Sequence, residues 1–124
     1  NAVLYGDHFV AETIRLLAAQ TGRDSALIYL SDHGESLGEH GLHLHGVPYA
    51  TAPEQQTAVP MVTWLSPSFA ASARLDTACL RAKAAAPLAH DHLFHSTLGL
   101  LDVETSVYAP EFDLFRSCRA PAPT

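Results

Sequence analysis

From Val3 to Gln20 the apolar residues Leu4, Phe9, Val10, Ile14, Leu16 and Leu17 recur near helical spacing, interrupted by Asp7, Glu12 and Arg15. The pattern predicts an amphipathic helix that stops at Thr21-Gly22 and covers one face of a sheet. Asp7 reads as a polar residue of its first turn. The period then changes: Ala26-Leu27-Ile28-Tyr29-Leu30 is a continuous apolar run of strand length, which predicts a buried strand from about Ser25 to Leu30. A helix followed by a strand is half of a crossover unit, so an α/β fold with a mainly parallel sheet is expected. Val59-Pro60-Met61-Val62-Thr63-Trp64-Leu65 predicts a second buried strand, with Pro60 at its first position, where no ladder donor is lost. The alanine-rich stretch from Ala70 to Ala86 predicts one or two short surface helices. Farther on, Leu93, Phe94, Thr97, Leu98 and Leu101 form one apolar face of a helix starting near Asp91, with His95 off that face. From Pro110 to Thr124 the pattern is lost, and Pro121 and Pro123 mark an irregular end.

Between the two strands lies a polar, glycine-bearing stretch, Ser31 to Thr57, longer than most connections inside a domain; loops of that length are usually functional or disordered. Gly34, Gly38, Gly41 and Gly46 with interleaved His40, His43 and His45 favour a functional loop over a linker. The loop opens with Asp32-His33, directly after the strand, and ligands in open α/β sheets bind beyond the carboxyl ends of strands. A carboxylate and a neutral imidazole are normal zinc ligands, but two ligands leave a tetrahedral site half built. The alternative for the pair is a loop carboxylate beside a hydrogen-bonded histidine. His43 and His45 would share a face if locally extended, which leaves open a separate metal site in the patch His40, His43, His45 against solvent-facing imidazoles.

Composition narrows the classes. At 124 residues and 48% hydrophobic content the chain makes at most one domain. A formal net charge of -6 with only 7 Lys plus Arg argues against nucleic acid, whose phosphates need clustered cations. The chain opens at Asn1 without an initiator methionine, a signal peptide or a membrane-spanning run, so it reads as processed or as a piece of something longer. Cys79 and Cys118 are too far apart for a CxxC motif and could pair or stay free.

Taken together, Ser31-Asp32-His33-Gly34-Glu35-Ser36-Leu37-Gly38-Glu39, Leu44-His45-Gly46-Val47-Pro48-Tyr49-Ala50, Ala52-Pro53-Glu54-Gln55-Gln56 and Val59-Pro60-Met61 resemble the lipid A phosphoethanolamine transferases of Gram-negative bacteria. These belong to the alkaline-phosphatase and sulfatase-like superfamily. The resemblance continues through Leu93-Phe94-His95 and Leu98-Gly99-Leu100-Leu101-Asp102-Val103, so it covers nearly the whole chain. It implies that residues 1–124 are the C-terminal part of a periplasmic catalytic domain with an α/β/α sandwich. Inner-membrane helices and the nucleophile-bearing half would precede it. The implied reaction moves phosphoethanolamine from phosphatidylethanolamine to lipid A through a phosphorylated threonine, which lowers surface negative charge and protects against polymyxin and other cationic peptides. By the same resemblance Asp32 and His33 match zinc ligands, and His45 matches a histidine that meets the substrate phosphate or a second zinc. Glu35 is expected to order the loop. No threonine of this chain carries the nucleophile's pattern, so the chain alone is expected to be inactive. A periplasmic location would also oxidise Cys79 and Cys118 to a disulfide. His40 and His43 depart from the family pattern, in which a polar or aromatic residue is expected.

Two other readings stand beside this one. A sulfatase or phosphodiesterase of the same superfamily would use water as acceptor. A histidine-rich metal-binding module would bind zinc tightly with no chemistry of its own.

Overall fold

The computed structural model describes residues 1–121; Pro123 and Thr124 of the expected irregular end lie outside the described residues. Two compact units divide the chain, one made of Asn1–Ala19 and Ala26–Trp64, the other of Gln20–Ser25 and the chain from Leu65 on.

In the first unit, helix α1 spans Ala2–Ala18 and strand β1 spans Ala26–Leu30. Helix α1 begins before Val3, so Asp7 sits in its second turn and the first turn holds no acid. The expected stop holds, with Gly22 at φ 77° in the turn that follows. Of the predicted apolar stripe only Val10 is buried, while Leu4, Phe9 and Leu16 are exposed. The expected loop contains a two-residue hairpin, β2 at Ser36–Leu37 paired antiparallel with β3 at His43–Leu44, in the register Ser36 to Leu44 and Leu37 to His43. A single helical turn, α2, follows at Glu54–Thr57.

Strand β4, Met61–Leu65, is the hydrogen-bonded neighbour of β1, and Pro60 stands just ahead of it. Past the end of β1 the Gly34 amide donates to the Gln56 carbonyl (3.0 Å), and Ser66 donates to Ser25 at the other end (2.8 Å). The end of β1 therefore lies beside the start of β4, and this pair runs antiparallel. The crossover argument anticipated a parallel neighbour; large α/β sheets commonly carry an antiparallel strand as well.

In the second unit, α3 spans Pro67–Ser72 and α4 spans Thr77–Ala82. Helix α3 starts earlier than the alanine content suggested because Ser66 caps it, accepting from the Phe69 amide (3.1 Å), and Pro67 fits its first turn. Asp76 caps α4 through the amides of Ala78 (2.9 Å) and Cys79 (3.1 Å). Helix α5, Asp91–Leu100, begins where expected but presents a different face. Phe94 and Leu101 are exposed, Ser96 is fully buried and His95 is half-buried. The partner explains the difference. Helix α5 packs on the segment after Tyr108, whose amides need acceptors: Ser96 Oγ accepts from Leu114 N (2.9 Å), and His95 Nδ1 accepts from Ala109 N (3.1 Å).

Two 3-10 turns, Pro110–Phe112 and Arg116–Cys118, flank Phe115 (2% exposed), which with Cys118 joins Leu75 and Ala70 in the core. Asp113 is buried among them; its carboxylate accepts from Tyr108 Oη (2.7 Å) and from Phe115 N (2.8 Å). Burial, and then this carboxylate, push the Tyr108 hydroxyl above the ordinary tyrosine range. The disulfide expected between Cys79 and Cys118 is present, with Cα atoms 5.6 Å apart.

Candidate metal centre

The site grows from the end of β1. Ser31 Oγ donates to the His33 carbonyl (2.7 Å) and the His33 amide donates to Asp32 Oδ1 (3.2 Å), so the chain turns sharply at these two residues. His33 Nδ1 lies 2.9 Å from the Gly34 carbonyl, which can only accept, so Nδ1 is the donor of that bond and Nε2 is the nitrogen that a neutral imidazole would offer as a ligand. His33 Nε2 is 3.9 Å from Asp32 Oδ2. Two ligands of one tetrahedral zinc are separated by about 3.4 Å, so the pair needs little adjustment to share an ion. Asp32 is 89% exposed, open to such a partner.

Gly34 makes the turn possible, because a Cβ there would collide with the Gln55 backbone oxygen. Beyond it, Ser36 is buried and its Oγ accepts from Gln56 Nε2 (2.9 Å); Gln56 Oε1 accepts from Val47 N (3.3 Å). One buried amide thus ties β2 to the backbone that follows His45. His45 Nδ1 meets Glu35 Oε2 at 3.0 Å, and the His33 and His45 rings lie 3.9 Å apart at 31°. Ligand atoms of His33, Glu35 and His45 all fall within 4.8 Å of one another. Imidazole nitrogens and a carboxylate oxygen are a donor set suited to zinc, and in that respect the residues fit a metal.

Sequence reasoning located Asp32, His33, Glu35 and His45, and the structure brings the last three together with Asp32 beside His33. It does not bring in His40 or His43. Leu44 has φ 67°, which breaks the extended run that would have set His43 and His45 on one face, and His40 sits in a 3-10 turn at φ 54°. Gln56 and Ser36 were missed as organisers. Their signal is faint, since a buried Gln is recognised only by what it bonds.

The family model described as Sulfatase matches residues 1–103. The chain is 44% identical over 121 residues to the phosphoethanolamine transferase EptA of Salmonella typhimurium, covering 96% of this chain and 22% of the relative. It therefore spans about a fifth of the curated relatives it matches. Among solved structures, the soluble domain of lipooligosaccharide phosphoethanolamine transferase A from Neisseria meningitidis superposes with a TM-score of 0.91 at 45% identity, over 96% of this chain and 36% of that one. The integral membrane form of that protein gives the same TM-score and identity over 23% of its length. Among the described residues here, no helix is long and apolar enough to cross a membrane. The expected α/β fold and the expected resemblance are both borne out, and with a match over most of its length the chain belongs to the sulfatase family.

Proposed function

We propose that this chain is the C-terminal part of the periplasmic catalytic domain of a phosphoethanolamine transferase anchored in a bacterial inner membrane. The enzyme would move phosphoethanolamine from phosphatidylethanolamine to lipid A through a phosphorylated threonine outside this chain, and so protect against polymyxin and cationic peptides. The likeness to transferases over 96% of the chain supports this reading over a hydrolase of the same family. The observation that carries it is the orientation of His33, whose Nδ1 is turned to the Gly34 carbonyl and whose Nε2 is left free beside Asp32.

In this reading Asp32 and His33 hold a zinc ion. When bound, zinc stabilises a threonine alkoxide and polarises a phosphoryl oxygen. His45, held at Nδ1 by Glu35, donates from Nε2 to the substrate phosphate in its imidazolium form as charge builds there. Glu35 is a positioning residue. The test is Asp32→Asn in the intact enzyme, since a neutral amide is a poor zinc ligand. Zinc content and lipid A modification are expected to fall together; wild-type levels of both would overturn the assignment.

A further inference from the structure

The second unit carries an arginine-lined cleft that the transferase reading does not use. Arg74, Arg116 and Arg119, with Asp102, Glu104 and Tyr108, border an open cleft of about 480 Å³. Its walls are firmly held. Leu75 and Arg119 form an antiparallel bridge, Asp76 N donates to Cys118 O (2.8 Å), and Ala120 N donates to Arg74 O (2.9 Å). The Cys79–Cys118 disulfide clamps the same ribbon. Across from it, Asp102 closes α5 in a left-handed conformation (φ 49°), with Val103 N donating to Leu98 O (3.0 Å).

Three guanidinium groups share the cleft with Asp102 and Glu104, and Asp113 is engaged by Tyr108 Oη. Arg119 Nη1 donates to Asp102 Oδ1 (2.8 Å), but Asp102 is largely exposed, so water screens this pair. Arg119 Nε and Nη2 are buried and have no hydrogen-bond partner among the described residues. Buried N–H groups are rarely left without an acceptor, so Arg119 carries unmet donor capacity at the wall of the cleft. Arg74 donates from Nε to the Ala120 carbonyl (3.3 Å), which leaves its Nη groups for the cleft. Arg116 is exposed and interacts with the Tyr108 hydroxyl. A carboxylate can satisfy one guanidinium fork. A tetrahedral dianion can accept from three guanidinium groups at once.

We propose that this cleft binds the phosphate group of a phosphomonoester, with Arg74, Arg116 and Arg119 as its donors. The proposal does not rest on the transferase reading, and its site lies wholly in the second unit.

Calorimetric titration of the intact protein with inorganic phosphate, at ionic strength matched with chloride, tests it in a His33→Ala, His45→Ala background that removes the metal-centre histidines. Saturable binding is expected. Arg74→Gln and Arg116→Gln, both at exposed positions, should each weaken it about tenfold, the loss expected for one charge-assisted contact. Asp102→Asn, which removes a competing acceptor, should tighten it. If Arg119→Gln fails to fold, the two exposed variants still decide. A parallel arm floats the protein with phosphatidic acid vesicles and with phosphatidylcholine vesicles. Retention on phosphatidic acid alone, lost in Arg74→Gln and Arg116→Gln, identifies a lipid headgroup as the source of the phosphate. Inorganic phosphate binding without retention identifies a soluble one. Equal effects of phosphate and chloride, or affinity unchanged by the arginine substitutions, would overturn the proposal.

Discussion

Glu35 Oε2 stands 3.0 Å from His45 Nδ1, while the His45 ring faces that of His33 at 3.9 Å. A carboxylate on one nitrogen of an imidazole fixes its orientation and tautomer and leaves the other nitrogen to act outward. His33 is oriented by a backbone carbonyl in the same manner. Two histidines that meet face to face are therefore turned by separate supports, one on the backbone and one on a side chain ten residues away.

This arrangement predicts that the two can be uncoupled by mutation. In the intact enzyme Glu35→Gln should lower the transfer rate roughly 10- to 100-fold, typical of losing a partner that orients a functional group, while the zinc proposed at Asp32 and His33 should be retained. His45→Ala should cost more, about 10² to 10³ in rate, as one charge-stabilising donor is removed. Metal analysis beside rate measurement checks both. If His45→Ala loses its zinc as completely as His33→Ala, His45 is a ligand and the division of roles fails.

Legibility in the sequence followed the range of the interactions involved. Asp32-His33 could be read because an apolar run ends abruptly in ligand residues, a local signal. The helix start at Asp91 also lies close to its signal, the apolar run from Leu93, whereas the start at Pro67 was missed because the Ser66 cap, not the alanine content, sets it. The segment from Tyr108 to Cys118 looked irregular because 3-10 turns leave no periodicity. It packs through Phe115 and through bonds to Ser96 and His95 on a helix more than ten residues away. The same long-range demand turned α5 away from its apolar stripe. The shared face left open for His43 and His45 fails for a backbone reason, since nothing in the side chain of Leu44 announces a left-handed conformation.

Gly99 has no room for a side chain. A Cβ there would strike the Asp113 carboxylate, whose two oxygens hold Tyr108 Oη and Phe115 N. Gly99→Ala should therefore destabilise by roughly 2–3 kcal/mol, from overpacking and a disturbed buried carboxylate. Gly6, whose Cβ would meet open space, is the control: Gly6→Ala, within α1, should be neutral or stabilising. Denaturant midpoints of the two variants check this, and equal midpoints would count against the crowding at Gly99.

The Cys79–Cys118 bond closes a span of 39 residues. By the chain-entropy account a loop of that size contributes about 4 kcal/mol, and here it also clamps α4 to the 3-10 turn Arg116–Cys118. Cys79→Ser should lower stability by a comparable amount and should remove the response of the wild type to reductant. Unfolding curves with and without dithiothreitol test both statements. A wild-type protein indifferent to reductant would show that the packing of Phe115 and Leu75 holds this ribbon unaided.

Glu39 gives the β2–β3 hairpin a dependence on pH. Backbone amides, its own foremost and then that of Leu37 at 2.7 Å from Oε2, hold its carboxyl below the ordinary glutamate value of 4.5. These bonds favour the charged form, so their contribution is fully present above 4.5 and is lost as pH falls through the lower, folded value. The carboxylate is exposed, which keeps the effect local to the hairpin. The Leu37 amide resonance should therefore titrate with a midpoint below 4.5, and its hydrogen exchange, corrected for the intrinsic rate, should speed up below that midpoint. Glu39→Gln should abolish the titration while leaving the His33 and His45 resonances in place. A midpoint at or above 4.5 would mean that the Leu37 bond does not hold the carboxylate in solution.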